Sequence, residues 1–419
     1  MLGIISLIVL FVIVALGFIR KANVGLLAIA AAAILAYASG EYTSKEVTAG
    51  FSASLLMTLL GVTLFFGIVQ SNGCLELLMK KIVVKFDRQV WFVPILIYAV
   101  GWTMSAVGPG CVPTLAFVAT LSIPLAHQTG YNPIMLMMIG DLATYSGRYT
   151  SITPEGILVS KLMSEQGIEN VLTPMIINTF IGSVILSVIV FIFYKGYKVK
   201  KPEAMTGMSD NEVFTGKQII ALVSILIMLC GVIFLSMDVG LASFILSAVL
   251  ILVGIGDQKA ALKNVPWNTI LLVCGVGVLM NLVIGSGGID LLASLMSSIM
   301  SANTAAPIAG IAAGCMSWFS STMGVVLPTL LPTVGGIVES VPGASAVEII
   351  STIGIVSACA GFSPASTVGA IIMGAIDGDE IFSKQKDSNK LFVELFAWSV
   401  FCVLFLALLA FLGIFGIVK

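Results

Sequence analysis

The sequence has little charge, a single histidine and no local signature of a hydrolase or an ATP-driven pump. Charged residues make up 10% of the 419 residues and hydrophobic residues 58%, whereas soluble proteins average about 25% charged. His127 is the only histidine, which argues against a His-based zinc site or catalytic triad. The patterns HExxH, GxSxG and GxxxxGK[ST] are absent. The composition therefore predicts an all-α polytopic membrane protein that is not an enzyme.

The cysteines and the net charge argue against further classes of protein, namely disulfide-linked, metal-binding and nucleic-acid-binding proteins. The seven cysteines are scattered through apolar runs and none forms a CxxC pair, so we expect small buried apolar side chains and no metal or disulfide. The net charge is −1 and the longest polar stretch is a short linker. We expect no cofactor and no nucleic-acid partner. The high share of hydrophobic residues predicts that the chain lies in a lipid bilayer.

Apolar runs place the membrane spans, because a spanning helix needs about 20 apolar residues. We expect ten such helices, of which 133–165 is broken near Thr153-Pro154 and 348–376 is broken at Ser363-Pro364. Two further segments, 92–126 and 305–338, turn back on themselves near glycine, proline and serine residues. The expected helices span 3–19, 23–38, 54–71, 133–165, 171–194, 218–236, 240–255, 268–285, 348–376 and 391–417.

Corresponding landmarks recur in the two halves of the chain. Gly61 matches Gly275, and Gly110 matches Gly324, both 214 residues apart; the two Thr/Ser-Pro breaks lie 210 apart. A nearly constant offset indicates an internal duplication. It predicts a first repeat over 1–194, a polar linker over 195–216 and a second repeat over 217–419.

Lysine and arginine predict the orientation of the repeats. Sixteen of the twenty lie in five loops, and Lys45, Lys161 and Lys419 lie in the alternate loops. If the rich loops are cytoplasmic, both termini are extracytoplasmic. Five crossings in each half then make the repeats inverted, with one broken helix and one re-entrant hairpin each. We expect a multi-pass protein of the inner (plasma) membrane.

Breaks in apolar helices predict a binding site. In hydrocarbon an unwound backbone leaves polar groups unpaired, so it is tolerated only when buried or facing a cavity. Helix ends and hydroxyls there suit a carboxylate or a sodium ion, although serine and threonine also form interhelical hydrogen bonds. The candidate substrate residues are Gly108, Gly110, Thr114, Arg148, Ser151, Thr153, Glu155, Ser321, Thr322, Gly324, Ser363, Ser366 and Thr367. The candidate sodium ligands are Ser105, Gly110, Thr153, Ser320, Gly324 and Ser363.

Arg148 and Glu155 are charges at membrane depth, which cost at least about 2.5–3.5 kcal/mol each on insertion scales. In one interpretation Arg148 holds a substrate carboxylate with two parallel hydrogen bonds. In another, Arg148 and Glu155 pair and brace the unwound segment, since seven residues are two helical turns. Glu155 is also a candidate for binding a coupling proton or cation. Asp141 is a further possible partner of the arginine.

These motifs resemble the ion transporter superfamily, and within it the divalent anion:sodium symporter group. Ser320-Ser321-Thr322, followed by Pro328, is similar to that group's Ser-Asn-Thr hairpin tip, whereas Ala106-Val107-Gly108 in the first half lacks the hydroxyls. The stretches GRYTSITPEGILVSKLM and GVTLFFGIVQSNGCLELL are closest to the malonate and C4-dicarboxylate carrier branch. The resemblance implies an elevator-type homodimer that moves small carboxylates with sodium or protons.

The leading hypothesis is thus a secondary active transporter of small organic anions, di- or tricarboxylates. The alternative is a sodium/proton antiporter or exporter on the same scaffold, with Glu155 and Asp141 carrying the ions. An intramembrane enzyme or a channel-like subunit is the third hypothesis, for which the chain has no motif.

Overall fold

All regular secondary structure in the described part of the chain is helical, as the composition predicts. The structure is a computed structural model, and it describes residues 2–20, 22–75, 77–78, 81, 90–107, 111–199, 213–235, 237–318, 320–364, 366–379 and 381–418.

The first half contains a run of helices that ends at Phe193. Two long helices, α1 and α2, come first, and α3 is a single short helix before α4. The pair α5 and α6 forms the first predicted hairpin, and α7 and α8 are the two parts of the broken helix. The bounds are α1 Leu2–Arg20, α2 Val24–Ser39, α3 Ser44–Ala49, α4 Ala53–Ser71, α5 Val93–Val107, α6 Cys111–Thr129, α7 Pro133–Gly147, α8 Pro154–Ser164 and α9 Leu172–Phe193.

The second half has a similar order of helices. Its hairpin region starts with α15 and continues through a π-helical turn, Thr322–Val326, into α16 and α17. Its broken helix is α18 followed by α19. The bounds are α10 Gly216–Leu235, α11 Val239–Leu252, α12 Gln258–Asn264, α13 Trp267–Gly285, α14 Gly288–Ser297, α15 Ala305–Ser317, α16 Leu327–Leu330, α17 Val334–Ser340, α18 Ala346–Cys359, α19 Thr367–Asp377, α20 Phe382–Gln385 and α21 Ser388–Phe411.

Local sequence explains where several helices begin. The side chain of Asn132 accepts hydrogen bonds at the start of α7, and Pro133 follows at the first helical position, where its missing N–H costs nothing. Thr43 and Glu46 form a capping box at the start of α3. The apolar-run criterion misses α3, although the Thr-x-x-Glu pattern signals it. It also misses α12 and α14, which are too short to span a bilayer.

Glycines allow two close crossings between the halves. A Cβ on Gly25 in α2 would lie 2.2 Å from the carbonyl oxygen of Leu271 in α13, and one on Gly275 would lie 2.4 Å from the carbonyl oxygen of Gly25. At the other crossing, a Cβ on Gly61 in α4 would lie 2.5 Å from the carbonyl oxygen of Gly240 in α11. In the predicted repeat, α2 corresponds to α11 and α4 corresponds to α13. Because α2 packs on α13 and α4 packs on α11, each helix packs on the one that corresponds to the other. The division at the linker and the inverted relation of the repeats stay predictions.

The hairpin legs and broken helices pack on one another. In the first half α5 packs on α7, and in the second half α15 packs on α18. The first hairpin's second leg, α6, contacts α19 from the other half, and α7 contacts α18. The two broken helices therefore meet in the interior, where rings of Tyr145 and Phe362 lie 6.0 Å apart between centroids.

Polar contacts tie the outer end of each broken helix to the hairpin of the other half. His127, at the end of α6, hydrogen-bonds with Asp379 after α19 at 2.8 Å. This bond lowers the pKa of the Asp379 carboxyl. Gln166, after α8, donates to the carbonyl of Leu331 at 3.0 Å and accepts from the backbone N–H of Gly335 at 2.9 Å.

In the part of the chain that the structure describes, six helical stretches are long and apolar enough to cross a bilayer, and shorter apolar helices accompany them. This identifies a multi-pass membrane protein. The stretch Thr322–Ser340 is one of the six by length and composition, but Pro328 and Pro332 divide it into short pieces. Its re-entrant path therefore stays a prediction, as does the side of the membrane on which the termini lie. The six are Ser44–Ser71, Leu172–Phe193, Trp267–Gly285, Thr322–Ser340, Ala346–Asp377 and Ser388–Phe411.

Candidate functional site

The break between α7 and α8 is a tight turn built around Thr153. The Thr153 hydroxyl donates to the carbonyl of Thr150 at 2.8 Å and to that of Arg148, and it accepts from the backbone N–H of Gly156 at 3.2 Å. Pro154 then starts α8. A Cβ on Gly156 would lie 2.0 Å from the Thr150 carbonyl oxygen, so only glycine fits this turn without a backbone shift. The threonine thus satisfies the donors and acceptors that the break leaves open.

The hairpin leg α5 holds this turn in place from the side. Thr150 donates to the carbonyl oxygen of Ala106 at 2.7 Å, and Ser105 donates to that of Thr144 at 3.2 Å. The first bond joins the last turn of α5 to the turn that follows α7, and the second joins it to the last turn of α7. A shift of the last turn of α5 would therefore change the geometry of the break.

Arg148 and Glu155 form a buried ion pair across the turn. The distance from Arg148 Nη2 to Glu155 Oε1 is 3.8 Å, and the side chains are each 7% exposed. That distance exceeds a hydrogen bond. Among the described residues, Arg148 Nε and Glu155 Oε2 have no hydrogen-bond partner. The pair is therefore loose, and one edge of the guanidinium is left to donate to something else.

Tyr145 lies between Arg148 and Asp141. Its hydroxyl donates to Asp141 Oδ2 at 2.5 Å, and its ring faces the guanidinium, 5.5 Å from the ring centroid to Arg148 Cζ. Positions 141, 145 and 148 share one face of α7, because residues three and four apart are helical neighbours. The sequence interpretation did not include the tyrosine.

Glu155→Gln tests how far the ion pair braces the turn. Loss of one partner of a buried pair costs about 3–5 kcal/mol. Glutamine keeps the shape, so we expect the lower end, about 3 kcal/mol, seen as a reduced melting temperature in detergent and a reduced yield of folded protein. Glu339→Gln, at an exposed glutamate, is the control. Well-folded but inactive Glu155→Gln protein would contradict bracing.

At its break and hairpin tip the second half carries hydroxyls, and the residues described there include no charged side chain. Ser317 and Thr322 both donate to the carbonyl of Ser357, at 2.7 and 3.1 Å. Ser321 accepts from the N–H of Gly324 at 3.2 Å, and Ser320 donates to the carbonyl of Met316 at 2.7 Å. These side chains stabilise the tip itself.

The second break repeats one feature of the first. A Cβ on Gly369 would lie 2.4 Å from the carbonyl oxygen of Ser363, much as Gly156 packs on Thr150. Ser363 is 1% exposed, and Ser399 in α21 donates to the carbonyl of Ala360 at 2.7 Å. The unwound backbone is therefore packed between α19 and α21.

The predicted site residues do not all share one environment. Arg148, Thr153 and Glu155 come together at the first break, and Thr114 is buried near the start of α6. Ser151, Ser321 and Thr367 are exposed, and Ser366 is partly exposed. Gly108 and Gly110 lie outside the described residues. The candidate sodium ligands are likewise divided between the two halves, and their assignment stays a prediction.

Sequence reasoning missed several residues that build the site. Ser317 and Ser357 repeat the bond from Ser105 to Thr144, at offsets of 212 and 213. The repeat pattern contained this signal, but the landmarks were matched at offsets of 214 and 210, and this pair of bonds lies at neither offset. Gly369 was missed because it lies five residues after Pro364, whereas Gly156 lies two after Pro154.

Paired breaks, buried charges and apolar outer faces define a helical membrane protein of the kind that secondary transporters form. Comparison with known proteins agrees. Residues 1–147 match the family model described as dicarboxylate carrier protein MatC N-terminus. Among solved structures, the YdaH transporter of Alcanivorax borkumensis is similar, with a TM-score of 0.60, 12% identity and coverage of 88% of each chain. No protein with curated annotation matches the chain.

The two matches bear on different properties. The structural one, at 12% identity, shows the fold, and it extends over most of the chain. The family match covers the first hairpin and α7 up to the start of the first break. The partial family match agrees with the resemblance to dicarboxylate carriers, and the structural match agrees with the fold of a helical membrane protein.

Proposed function

We propose that this chain is a secondary active transporter of small organic anions, with di- or tricarboxylates as the substrate class. The observation that carries the proposal is Arg148, a cation buried at the first break whose Nε has no partner among the described residues. An arginine donates in a fork that fits a carboxylate. The match of residues 1–147 to a dicarboxylate carrier family supports the same substrate class.

Glu155 occupies the position that a substrate carboxylate would favour. It lies in the first turn of α8, where the helix dipole attracts negative charge. Its contact with Arg148 at 3.8 Å is longer than a hydrogen bond. A substrate carboxylate therefore binds the Nε edge of Arg148 and competes with Glu155 for the guanidinium.

An elevator movement fits the division of packing. The broken helices and hairpin legs pack on one another, whereas α2 crosses α13 and α4 crosses α11. One group then carries the substrate while the other stays fixed in the bilayer. Assembly as a homodimer, and extracytoplasmic termini in an inner (plasma) membrane, complete the proposal; they rest on the resemblance and on the lysine and arginine distribution.

Uptake into proteoliposomes tests the proposal. We expect a radiolabelled C3 or C4 dicarboxylate to accumulate when an inward sodium or proton gradient is imposed, and to equilibrate only slowly without one. Monocarboxylates of the same length serve as controls for charge. A pH-dependent sodium flux with no solute flux would contradict the proposal and favour the antiporter or exporter.

A further inference from the structure

Asp141 is a buried carboxyl that the substrate site does not use. It lies in the middle of α7 and is 2% exposed. Tyr145 donates to its Oδ2, but among the described residues its Oδ1 has no hydrogen-bond partner. A buried polar atom without a partner costs free energy, so the position calls for a ligand at Oδ1.

The charges around Asp141 do not balance if every group is ionised. Among the described residues Arg148 is the cation at the break, and two carboxyls, Glu155 and Asp141, interact with it. Glu155 forms the ion pair with the guanidinium, at 3.8 Å. An unpaired ionised carboxylate in apolar surroundings is too costly to persist, so Asp141 needs a proton or a cation. The other titratable groups near Asp141 on the packed elements are Tyr145, Cys111 and Cys359.

The surroundings of Asp141 favour a proton over a metal ion. A small cavity lies where the first hairpin leg α6 and α7 meet α19 of the second half, and among the described residues that line it Asp141 is the polar one. Hard cations require several oxygen ligands, and this lining offers a single carboxyl. The other lining residues are Leu115, Val118, Ala119, Met137, Val368, Ile371 and Ile372.

We infer that Asp141 is a proton-binding site, with the proton on Oδ1 and the Tyr145 hydroxyl bound to Oδ2. On binding, an O–H bond forms at Oδ1 with a proton taken from water, and on release the proton returns to water. Because the cavity lies at a junction between the two halves, separation of α6 from α19 hydrates Asp141 and allows release. The role of this proton in coupling rests on the proposed function, whereas its presence does not.

Infrared spectroscopy of the full-length protein in detergent at pH 7 tests the site without any substrate. Exposed aspartates and glutamates ionise near pH 4, so a protonated carboxyl C=O band reports a buried acid. We expect the band in the wild type, its loss in Asp141→Asn, and its retention in Asp290→Asn, which changes an exposed aspartate. No band in the wild type, or a band lost in Glu155→Gln and kept in Asp141→Asn, would overturn the inference.

Isotope labelling covers the case in which Asp141→Asn does not fold. The band of the wild-type protein should move to lower frequency when aspartate carries ¹³C at its carboxyl. It should keep its frequency when glutamate carries the label instead. The reverse result would assign the protonated carboxyl to a glutamate and refute a proton on Asp141. Replacing potassium by sodium in the buffer should leave the band unchanged, and its loss would assign a sodium site instead. A failure of dicarboxylate uptake would remove the proposed function and leave these results standing.

Discussion

Arg148→Lys is expected to weaken dicarboxylate binding by about 10- to 100-fold. A lysine keeps the charge, but it replaces the planar fork by a point charge on a flexible stem. Hydrogen bonds to charged groups contribute about 1.5–3 kcal/mol, which corresponds to about one to two powers of ten in affinity. The measurement is the concentration dependence of uptake in proteoliposomes, together with the melting-temperature shift that a dicarboxylate produces in detergent.

Two comparisons make this prediction specific. Arg20→Lys makes the same change at the exposed end of α1, and we expect no loss of uptake there. The Arg148→Lys protein should still fold, because the ammonium group retains a positive charge opposite Glu155. If uptake and the ligand-induced shift survive at Arg148→Lys, two-point capture of a carboxylate is wrong.

Gly156→Ala is expected to abolish most transport by distorting the first break. The added Cβ would lie 2.0 Å from the carbonyl oxygen of Thr150, and that oxygen is backbone. The turn must shift, at a cost of about 1–3 kcal/mol for overpacking. The shift also weakens the bond that Thr150 donates to Ala106 and moves Glu155 relative to Arg148. Uptake rate and melting temperature are the measurements.

Gly374→Ala is the matched control for this substitution. Gly374 is a helical glycine in α19, and an added Cβ there meets no heavy atom within 4 Å. Alanine is favoured over glycine in a helix by up to about 1 kcal/mol, so we expect unchanged or slightly higher stability. Equal behaviour of the two variants would show that the turn tolerates a side chain, and would contradict the packing described for Gly156.

Apolar runs and turn chemistry made much of the fold predictable from the sequence. The helix breaks were found because proline and hydroxyl residues interrupt long apolar segments, as at Thr153-Pro154. The short helices α3 and α14 were not found, because a criterion of about 20 apolar residues cannot detect helices of 6 and 10 residues. Such short helices are marked in the sequence by capping residues, and tertiary packing stabilises them. Neither feature produces a long apolar run.

The contact between Arg148 and Glu155 was predicted for a reason that the structure corrects. The sequence interpretation placed the break near Thr153-Pro154 and considered the pair feasible because seven residues are two helical turns. Residues 148–153 are instead a turn between α7 and α8, and the Thr153 cap brings the two charges together. Tyr145 could not be foreseen as the link to Asp141, because an aromatic residue on a buried helix usually only fills space.

The exchanged packing between the halves has a consequence for biogenesis. Gly25 of α2 packs closely against the backbone of α13, and Asn23 donates to the carbonyl of Asn268 in α13 at 2.8 Å. During synthesis, α2 leaves the ribosome long before α13 exists. Until α13 is inserted, the face of α2 that packs on it must therefore lie against lipid or other helices. A chain whose synthesis stops between the halves therefore keeps that surface of α2 uncovered by α13.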